Sequence, residues 1–346
     1  MIRIAQRDGS ITKLKDPRWM KSKMNLFKAL PLVCTLCCVG AVAVDGQMFG
    51  ISGSIAQEQA MSPLELEIAE IESQIDEIEA QAIAAIPSLL HGSPARLPGL
   101  GKILFFDKEL SVNRNEACAF CHMPQTGFQG AIESLNLGGV AQPGSVRTRS
   151  SLRKPPSAAY AAFSPPLYYA DKPGEGKCSH CFIGGNFWDL RATGLRLMQA
   201  QGSPLNPLEM ANPDSACIVR RMSLRPYRAL FESIWGPRAF AIAWPENVGA
   251  VCSRPNSNPA SAIGSEVPGP NDTPLVVSLA PEDRARVQST FDQMAESIVA
   301  FEASTEVSPF SSKFDAFQAG NAGLSAAWLR AVQGTGEMHE LPCRPG

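Results

Sequence analysis

The segment Cys118-Ala119-Phe120-Cys121-His122 constrains this chain more than any other part of its sequence. Two cysteines separated by two residues and followed directly by a histidine form the attachment pattern of a c-type haem. The two thiols add to the two vinyl groups of the porphyrin, and the histidine reaches the iron as an axial ligand. With 10 Cys and 4 His in 346 residues, a chance match to this pattern is rare. We therefore expect one covalent haem c, bound through Cys118 and Cys121, with His122 as a ligand of the iron.

Length and composition limit the remaining possibilities. A chain of 346 residues can bury one large core or two smaller ones. Hydrophobic residues make up 45% of the chain and the net charge is only −2, which indicates neither a nucleic-acid-binding protein nor a wholly disordered one. The 28 Gly and 28 Pro favour long ordered loops over continuous helices.

The N-terminal segment has the features of an export signal. Several lysines precede an apolar run from residue 29 to residue 44, which contains the small-residue site Ala41-Val42-Ala43. This order is typical of a secretory signal peptide, which we place at residues 1–43. The apolar run is shorter than the roughly 20 residues of a membrane-spanning helix, so an uncleaved anchor is the weaker alternative.

Two segments show the periodicity of amphipathic helices. In a linker region at residues 44–95, isoleucines recur at three- and four-residue steps after Ser62 and Pro63, which suit a helix cap and a first turn. This pattern predicts a helix from about residue 63 to residue 86. We expect it to pack on its own domain, and a dimerising coiled coil is the alternative. A second helix is predicted over about residues 281–303. Its apolar face consists of Val287, Phe291, Met294, Ile298 and Phe301.

The segments between these helices read as loops. Residues 141–176 are rich in Pro, Gly and Ser and are expected to form a long ordered loop, and residues 253–274 are expected to be a flexible insertion. No segment shows a convincing strand alternation. The sequence therefore predicts a mainly α protein.

The other cysteines are interpreted as structural. In Cys178-Ser179-His180-Cys181 the histidine lies between the cysteines, so it cannot follow a second thioether onto an iron. A local disulfide or exposed thiols are favoured over a metal site, because only three ligands are near. In an exported chain, a structural disulfide is the default interpretation of Cys217 and Cys252.

The haem motif lies within a longer pattern that resembles the bacterial di-haem cytochrome c peroxidases, the MauG-like superfamily. Three blocks in the expected order carry this resemblance, and together they cover roughly residues 97–330. The blocks contain Leu100 to Asp107, Leu110-Ser111 and Gly127-Phe128; then Gly185 to Ala192, Gln199-Ala200, Pro204, Asn206-Pro207 and Glu209-Met210; then Ala300 to Glu302, Ser308 to Phe310 and Phe314-Asp315.

The resemblance implies a fold, a reaction and partners. It implies a pair of cytochrome c-like domains in the periplasm, of which residues 96–318 would be the N-terminal haem domain. The implied reaction is the reduction of hydrogen peroxide with electrons from a small c-type cytochrome or a cupredoxin. A full-length member would also hold a second haem c and calcium. No nucleic-acid partner is expected, and a homodimer is left open.

The resemblance also points to residues of the distal pocket. Asn186, Trp188, Asp189 and Arg191 are candidates, although Asp189 and Arg191 would serve equally as buried structural groups. The family has a carboxylate about ten residues after the position of Asn186, whereas residues 196–198 hold none. The resemblance therefore predicts a distal pocket without this acid. Because a positioned acid–base group contributes roughly 10²–10⁴ in rate, fast peroxide turnover is not expected.

A second haem motif is absent from the sequence. We interpret residues 319–346 as the truncated start of the second haem domain, with a tail that follows a frameshift near residues 326–328. The alternative is a natural short variant with an unrelated tail. Enzymatic activity is therefore left open. A monohaem electron-transfer or haem-binding protein, or an inactive truncated product, are the alternatives to a peroxidase.

Overall fold

A computed structural model describes residues 61–139, 141–170, 180–194, 196–256, 275–309, 313–318 and 320–325. The predicted signal peptide, Cys178, most of the predicted insertion at 253–274 and the tail from residue 326 lie outside these residues. In the part of the chain that is described, no helix combines the length and the apolar character that a membrane span requires.

The described residues are mainly helical, as predicted. The helices are α1 (Pro63–Ala84), α2 (Ile86–Leu90), α3 (Arg96–Phe106), α4 (Cys118–Cys121), α5 (Glu133–Gly138), α6 (Arg196–Leu205), α7 (Ser215–Met222), α8 (Arg228–Trp235), α9 (Val248–Cys252), α10 (Pro281–Glu302) and α11 (Lys313–Gln318). Short 3₁₀ turns lie at Lys108–Leu110, Pro124–Thr126 and Ala161–Phe163. The sequence did not predict the antiparallel hairpin of β1 (Tyr168–Ala170) and β2 (Cys181–Ile183). Strands of three residues are too short to show a periodic pattern.

Helix α1 begins as predicted. The side chain of Ser62 accepts a hydrogen bond from the backbone N–H of Glu65, and the Glu65 carboxylate accepts one from the N–H of Ser62. This reciprocal capping box satisfies two backbone donors at the start of the helix. Ile71 and Ile75 are buried against α3, so the apolar face of α1 is covered by its own domain. The structure therefore supports the favoured interpretation rather than the dimerising coiled coil.

Helices α3 and α10 form the centre of the domain. All five apolar residues predicted for one face of α10 are at most 2% exposed. The ring of Phe301 lies 5.3 Å from that of Phe105 and 6.3 Å from that of Phe106. The helices approach so closely that a Cβ atom at Gly101 would lie 1.9 Å from the carbonyl oxygen of Ser297. This crossing brings the C-terminal end of α10 to the segment that contains the haem motif.

A disulfide between Cys217 and Cys252 joins α7 to α9, with an S–S distance of 2.02 Å, as the sequence predicted. Cys181 is also disulfide-bonded, so the free-thiol alternative does not hold for this residue. Next to the first disulfide, the buried guanidinium of Arg221 donates to the carbonyl oxygen of Cys252 at 2.8 Å. These bonds hold α7 and α9 to each other.

Candidate haem site

The haem motif folds into a single helical turn that gathers its three chemical groups. Helix α4 ends at Cys121, and the N–H of His122 donates to the carbonyl oxygens of Cys118 and Ala119 at 3.0 and 3.2 Å. Residues at positions i, i+3 and i+4 share one face of a helical turn, so both thiols and the imidazole lie on the same side. Ala119 and Phe120 are fully buried in the core and anchor the opposite side.

A tight turn after α4 orients the imidazole of His122. Met123 and Gln129 are bridged by a backbone hydrogen bond of 2.9 Å, and Gly127 adopts a φ of +71°, which glycine accommodates without strain. The turn places the carbonyl oxygen of Phe128 3.1 Å from Nδ1 of His122. A carbonyl only accepts, so a neutral His122 that bonds Phe128 carries its proton on Nδ1, the tautomer in which Nε2 can bind a metal.

The environment keeps His122 neutral. Burial lowers the pKa of this imidazole, although the carbonyl oxygens of Phe128 and Pro156 act in the opposite direction. A neutral imidazole with its Nδ1 proton bonded to the backbone is the usual form of a histidine metal ligand.

The two thiols of the motif are neutral and unpaired. Cys118 and Cys121 form no disulfide. Burial is the main reason that the pKa of Cys118 rises to about 12, and burial likewise raises the pKa of Cys121. Metal binding needs thiolates, and the described residues contain no group of three His, Cys, Asp or Glu side chains arranged for a metal ion. Protonated thiols instead suit addition to a vinyl group.

Three adjoining cavities meet at His122, with volumes of about 230, 70 and 40 Å³. The smallest is lined by both cysteines. Gln199 and Glu302 line both the 230 and the 40 Å³ cavities, while Phe187 and Trp188 line both the 230 and the 70 Å³ cavities. We refer to these three cavities together as the His122 cleft. In total volume the cleft is comparable with the smaller ligand pockets of proteins, which begin at roughly 300 Å³.

Two of the residues predicted for the distal pocket, Asn186 and Trp188, line this cleft in different ways. Asn186 lines the 230 Å³ cavity, and its buried Nδ2 has no hydrogen-bond partner among the described residues. Trp188 is 65% exposed, and its Nε1 donates to the carbonyl oxygen of Lys154 at 2.8 Å. Asn186 therefore offers a donor to whatever occupies the cavity, and Trp188 separates the cavity from solvent.

The other two predicted residues, Asp189 and Arg191, form an ion pair with each other. Asp189 lines none of the three cavities, and its carboxylate pairs with Arg153 at 3.1 Å and with Arg191 at 2.9 Å. Arg191 lines the 70 Å³ cavity, and its guanidinium lies 3.8 Å from the centre of the Phe187 ring. The structure thus places Arg191 at the cleft, whereas Asp189 is exposed and not buried, and pairs with two arginines.

The cleft contains a carboxylate, although none comes from residues 196–198, where the sequence predicts its absence. Glu209 lines the 70 and 40 Å³ cavities, and its carboxylate accepts a hydrogen bond of 2.7 Å from Nδ2 of Asn206. Burial raises the pKa of Glu209, while hydrogen bonds from Ser203 and Asn206 and the charge of Arg191 oppose the shift. The acid enters from the loop after α6 and not from residues 196–198. The Asn-Pro turn before Glu209 was the available signal.

Two further carboxylates that the sequence did not single out lie at the cleft. Glu302 ends α10 and is 6% exposed. Glu116 accepts from Arg147 at 2.5 Å and from Sγ of Cys121 at 3.6 Å. Burial raises the pKa of Glu116 to about 8, although Arg147 opposes the shift. Arg147 also pairs with Glu72 of α1 at 2.6 Å, so this helix is tied to the wall of the cleft.

Comparison with known proteins places the cleft in a family. The family model described as di-haem cytochrome c peroxidase matches residues 96–265. The methylamine utilization protein MauG of Paracoccus denitrificans is 32% identical over 221 residues, which are 63% of this chain and 43% of MauG. The chain therefore spans less than half the length of this curated relative.

Solved structures give a weaker likeness. Two crystal structures of the diheme peroxidase BthA from Burkholderia thailandensis, a point variant and the unmodified protein, have TM-scores of 0.45 and 0.44 and identities of 24% and 25%. They cover 70% and 69% of this chain, and 46% of the BthA chain in each case. The sequence matches include the haem motif and the loop of Glu209. Residues 96–265, just under half of the chain, therefore match the di-haem cytochrome c peroxidase family.

Proposed function

We propose that this chain is a periplasmic c-type haem oxidoreductase that reduces hydrogen peroxide with electrons from a small c-type cytochrome or a cupredoxin. One observation carries the proposal: two neutral thiols, an imidazole with Nε2 available and the carboxyl group of Glu209 open on the same cleft. Thioether attachment needs the thiols, iron ligation needs the imidazole and peroxide reduction needs a proton-transferring group. The family match supports haem c as the cofactor.

The residues of the cleft fit a haem c. Cys118 and Cys121 would form the two thioethers, and His122 would ligate the iron. The thiols are not consumed by a disulfide. The buried, unpartnered Nδ2 of Asn186 is a donor that a bound group would satisfy. When bound, the haem supplies a redox-active iron at which peroxide accepts electrons.

Glu209 is the group best placed to handle protons. Conversion of one hydrogen peroxide to two waters consumes two electrons and two protons, so a proton must reach the departing oxygen. Burial raises the pKa of Glu209, which favours the protonated carboxyl that can donate. Asn206 and Ser203 hold this carboxyl by hydrogen bonds, and Arg191 lies 4.0 Å away, where it stabilises the carboxylate after transfer.

The organisation of the chain is proposed along the same lines. Residues 1–43 would direct export, residues 44–95 would be a linker that carries α1, and residues 96–318 would form the haem domain. Residues 319–346 would begin a second haem domain, which in a full-length member would contain the second haem c, with calcium. Electrons would then enter through that second haem.

A monohaem electron-transfer protein is the second candidate, and one observation favours it. Met210 lines the 40 Å³ cavity together with both cysteines and His122, and it is 4% exposed. Methionine opposite histidine is the ligand pair of electron-transfer cytochromes c. If Met210 ligated the iron, the site would be six-coordinate and closed to peroxide.

The test is to produce the chain in a bacterial periplasm together with a cytochrome c maturation system. Covalent haem is detected by haem staining after denaturing electrophoresis, and turnover by the peroxide-dependent oxidation of a reduced c cytochrome. We expect attached, high-spin haem and measurable turnover. Attached, low-spin haem without turnover would favour the electron-transfer candidate. Absence of covalent haem from the folded, exported chain would exclude both.

A further inference from the structure

Glu302 is a buried carboxylate at an unfavourable position in its own helix. It is the last residue of α10 and is 6% exposed. The carbonyl ends of a helix carry partial negative charge, so acidic residues are stabilised at the start of a helix and destabilised at its end. Glu282 and Asp283 in the first turn of α10 follow this rule, whereas Glu302 violates it, and the last turn has no basic residue.

The position of Glu302 in the cleft suggests why an acidic residue is kept at this unfavourable end of the helix. The residue lines the 230 and the 40 Å³ cavities, and both are lined by His122. Cys118 also lines the 40 Å³ cavity, so Glu302 and the thioether position share one cavity. The α3–α10 crossing at Gly101 and Ser297 fixes the end of α10 at this place.

A fixed negative charge in the cleft acts differently on the two oxidation states of a haem. The iron–porphyrin core carries one positive charge when ferric and none when ferrous. Charges interact more strongly in a buried site than in water, so a nearby carboxylate stabilises the ferric state selectively. Charge and burial around the iron are among the means by which a protein sets a haem potential.

We propose that Glu302 is ionised beside the haem at His122 and sets its reduction potential, because a buried negative charge stabilises the ferric state and lowers the potential. This inference rests on the proposed haem binding. A lower potential makes the iron a stronger reductant of peroxide, which suits the haem that meets the substrate. Glu302 acts on the haem through its charge, and proton transfer remains with Glu209.

The experiment is a spectroelectrochemical redox titration of the full, haem-loaded chain. In Glu302→Gln, which keeps the shape and removes the charge, we expect about a tenfold shift of the ferric–ferrous equilibrium toward ferrous haem. For one electron this is an increase of about 59 mV in midpoint potential. Glu302→Ala is measured in parallel and should shift in the same direction. Glu302→Asp keeps the charge and should remain near the parent protein.

The matched control is Glu306→Gln. Glu306 lies four residues further on, has a side chain that is 54% exposed and pairs with Lys102 at 2.5 Å. Its replacement should leave the potential unchanged, because water screens an exposed charge.

The outcomes separate the two proposals. If the parent chain carries no covalent haem, the proposed function fails. If haem is attached but neither neutral variant increases the potential, the inference about Glu302 is overturned while haem binding stands. An equal shift in Glu302→Asp and Glu302→Gln would also overturn it, because it would show an effect of packing and not of charge.

Discussion

The His122 cleft differs from the hydrogen-bonded networks around Asp107 and Arg221, which we call the scaffold, in whether its buried polar groups find partners within the protein. In the scaffold, the carboxylate of Asp107 accepts hydrogen bonds from Arg225 at 3.1 Å, Tyr227 at 2.7 Å and the backbone of Glu109 at 3.0 Å. In the cleft, Nδ2 of Asn186 is buried without a partner among the described residues. An unpaired buried donor costs roughly 1–3 kcal/mol, so its presence needs a compensating role.

Arg221 shows how far the scaffold satisfies its charges. This buried guanidinium donates to five oxygen atoms on three segments of the chain. They are the carbonyl oxygens of Leu110, Ser111, Val112 and Cys252 and Oδ1 of Asn212. The scaffold groups are saturated within the protein and define one geometry. In the cleft, the thiols of Cys118 and Cys121 form no disulfide and Nδ2 of Asn186 has no partner among the described residues, so these groups are open to a molecule that the chain itself does not provide.

The largest expected effect is at the thiols. In the double variant Cys118→Ser, Cys121→Ser, we expect complete loss of covalent haem, because a hydroxyl does not form the thioether. The measurement is haem staining after denaturing electrophoresis. The matched control is Cys217→Ser with Cys252→Ser, which removes the scaffold disulfide. This control should retain haem and lose about 2–4 kcal/mol in the free energy of unfolding. Haem that resists denaturation in the first variant would contradict the assignment of the cleft.

Glu209→Gln tests the proton-transferring side of the cleft. We expect covalent haem to be retained and peroxide turnover to fall by about 10²–10⁴, the usual contribution of a positioned acid–base group. Steady-state oxidation of a reduced c cytochrome by peroxide gives this value. Glu296→Gln, an exposed position on α10, should leave turnover unchanged. A Glu209→Gln variant with the parent turnover would show that the cleft draws its protons from another group.

The parts of the molecule that could be predicted from sequence depend on local pattern. The capping box at Ser62, the apolar face of α10 and the haem motif are encoded within a few residues or one helical period. The pairing of Cys217 with Cys252 followed from the small number of cysteines and the expected oxidising compartment.

The other residues of the cleft could be predicted only in part. The resemblance pointed to Asn186 but not to Glu209, which lies 23 positions further along the sequence, and only the tertiary fold brings both to His122. The Phe-Trp-Asp string suggested Asp189, yet its carboxylate turns to two arginines and away from the cavities. The location of Glu302 at the cleft depends on the helix crossing at Gly101, which no local sequence pattern predicts. Long-range packing, and not residue type, decides which acid reaches the cleft.

Two asparagines provide a direct comparison of cleft and scaffold. Nδ2 of Asn212 donates to Leu110 at 2.8 Å and to Pro204 at 2.9 Å, and its Oδ1 accepts from Arg221. Asn212→Leu should therefore lower the free energy of unfolding by about 3 kcal/mol, because it leaves several buried groups unsatisfied. Asn186→Leu should change it by less than about 1 kcal/mol, because Nδ2 of Asn186 has no partner to lose among the described residues.

Chemical denaturation of the haem-loaded variants measures both values. Asn186→Leu should in addition weaken the binding of hydrogen-bond-accepting haem ligands, whereas Asn212→Leu should not, once corrected for unfolded protein. Equal losses of stability in the two variants would remove the distinction between a saturated scaffold and an open cleft.

The smallest expected effect concerns Glu79, a scaffold carboxylate that couples stability to pH. Glu79 of α1 pairs with Arg225. Burial, together with the charge of Asp107, raises the pKa of Glu79 to about 7, although Arg225 opposes the shift. Between the unfolded pKa of about 4.3 and this value, the folded state holds a proton that the unfolded state has lost. Stability contributed by this group is therefore present at low pH and is lost as the pH rises toward 7.

Glu79→Gln removes this titration and should sharpen the contrast with an exposed acid on the same helix. Relative to the parent chain, the free energy of unfolding of the variant should increase by about 1–2 kcal/mol between pH 5 and pH 8, less than the full shift implies because Arg225 retains part of the charge. Urea titrations at the two pH values give the difference. Glu77→Gln, at an exposed position two residues away, should show no such change. If both variants respond alike, the pH dependence arises from net charge and not from the buried pair, and the scaffold would be less saturated than its hydrogen bonds indicate.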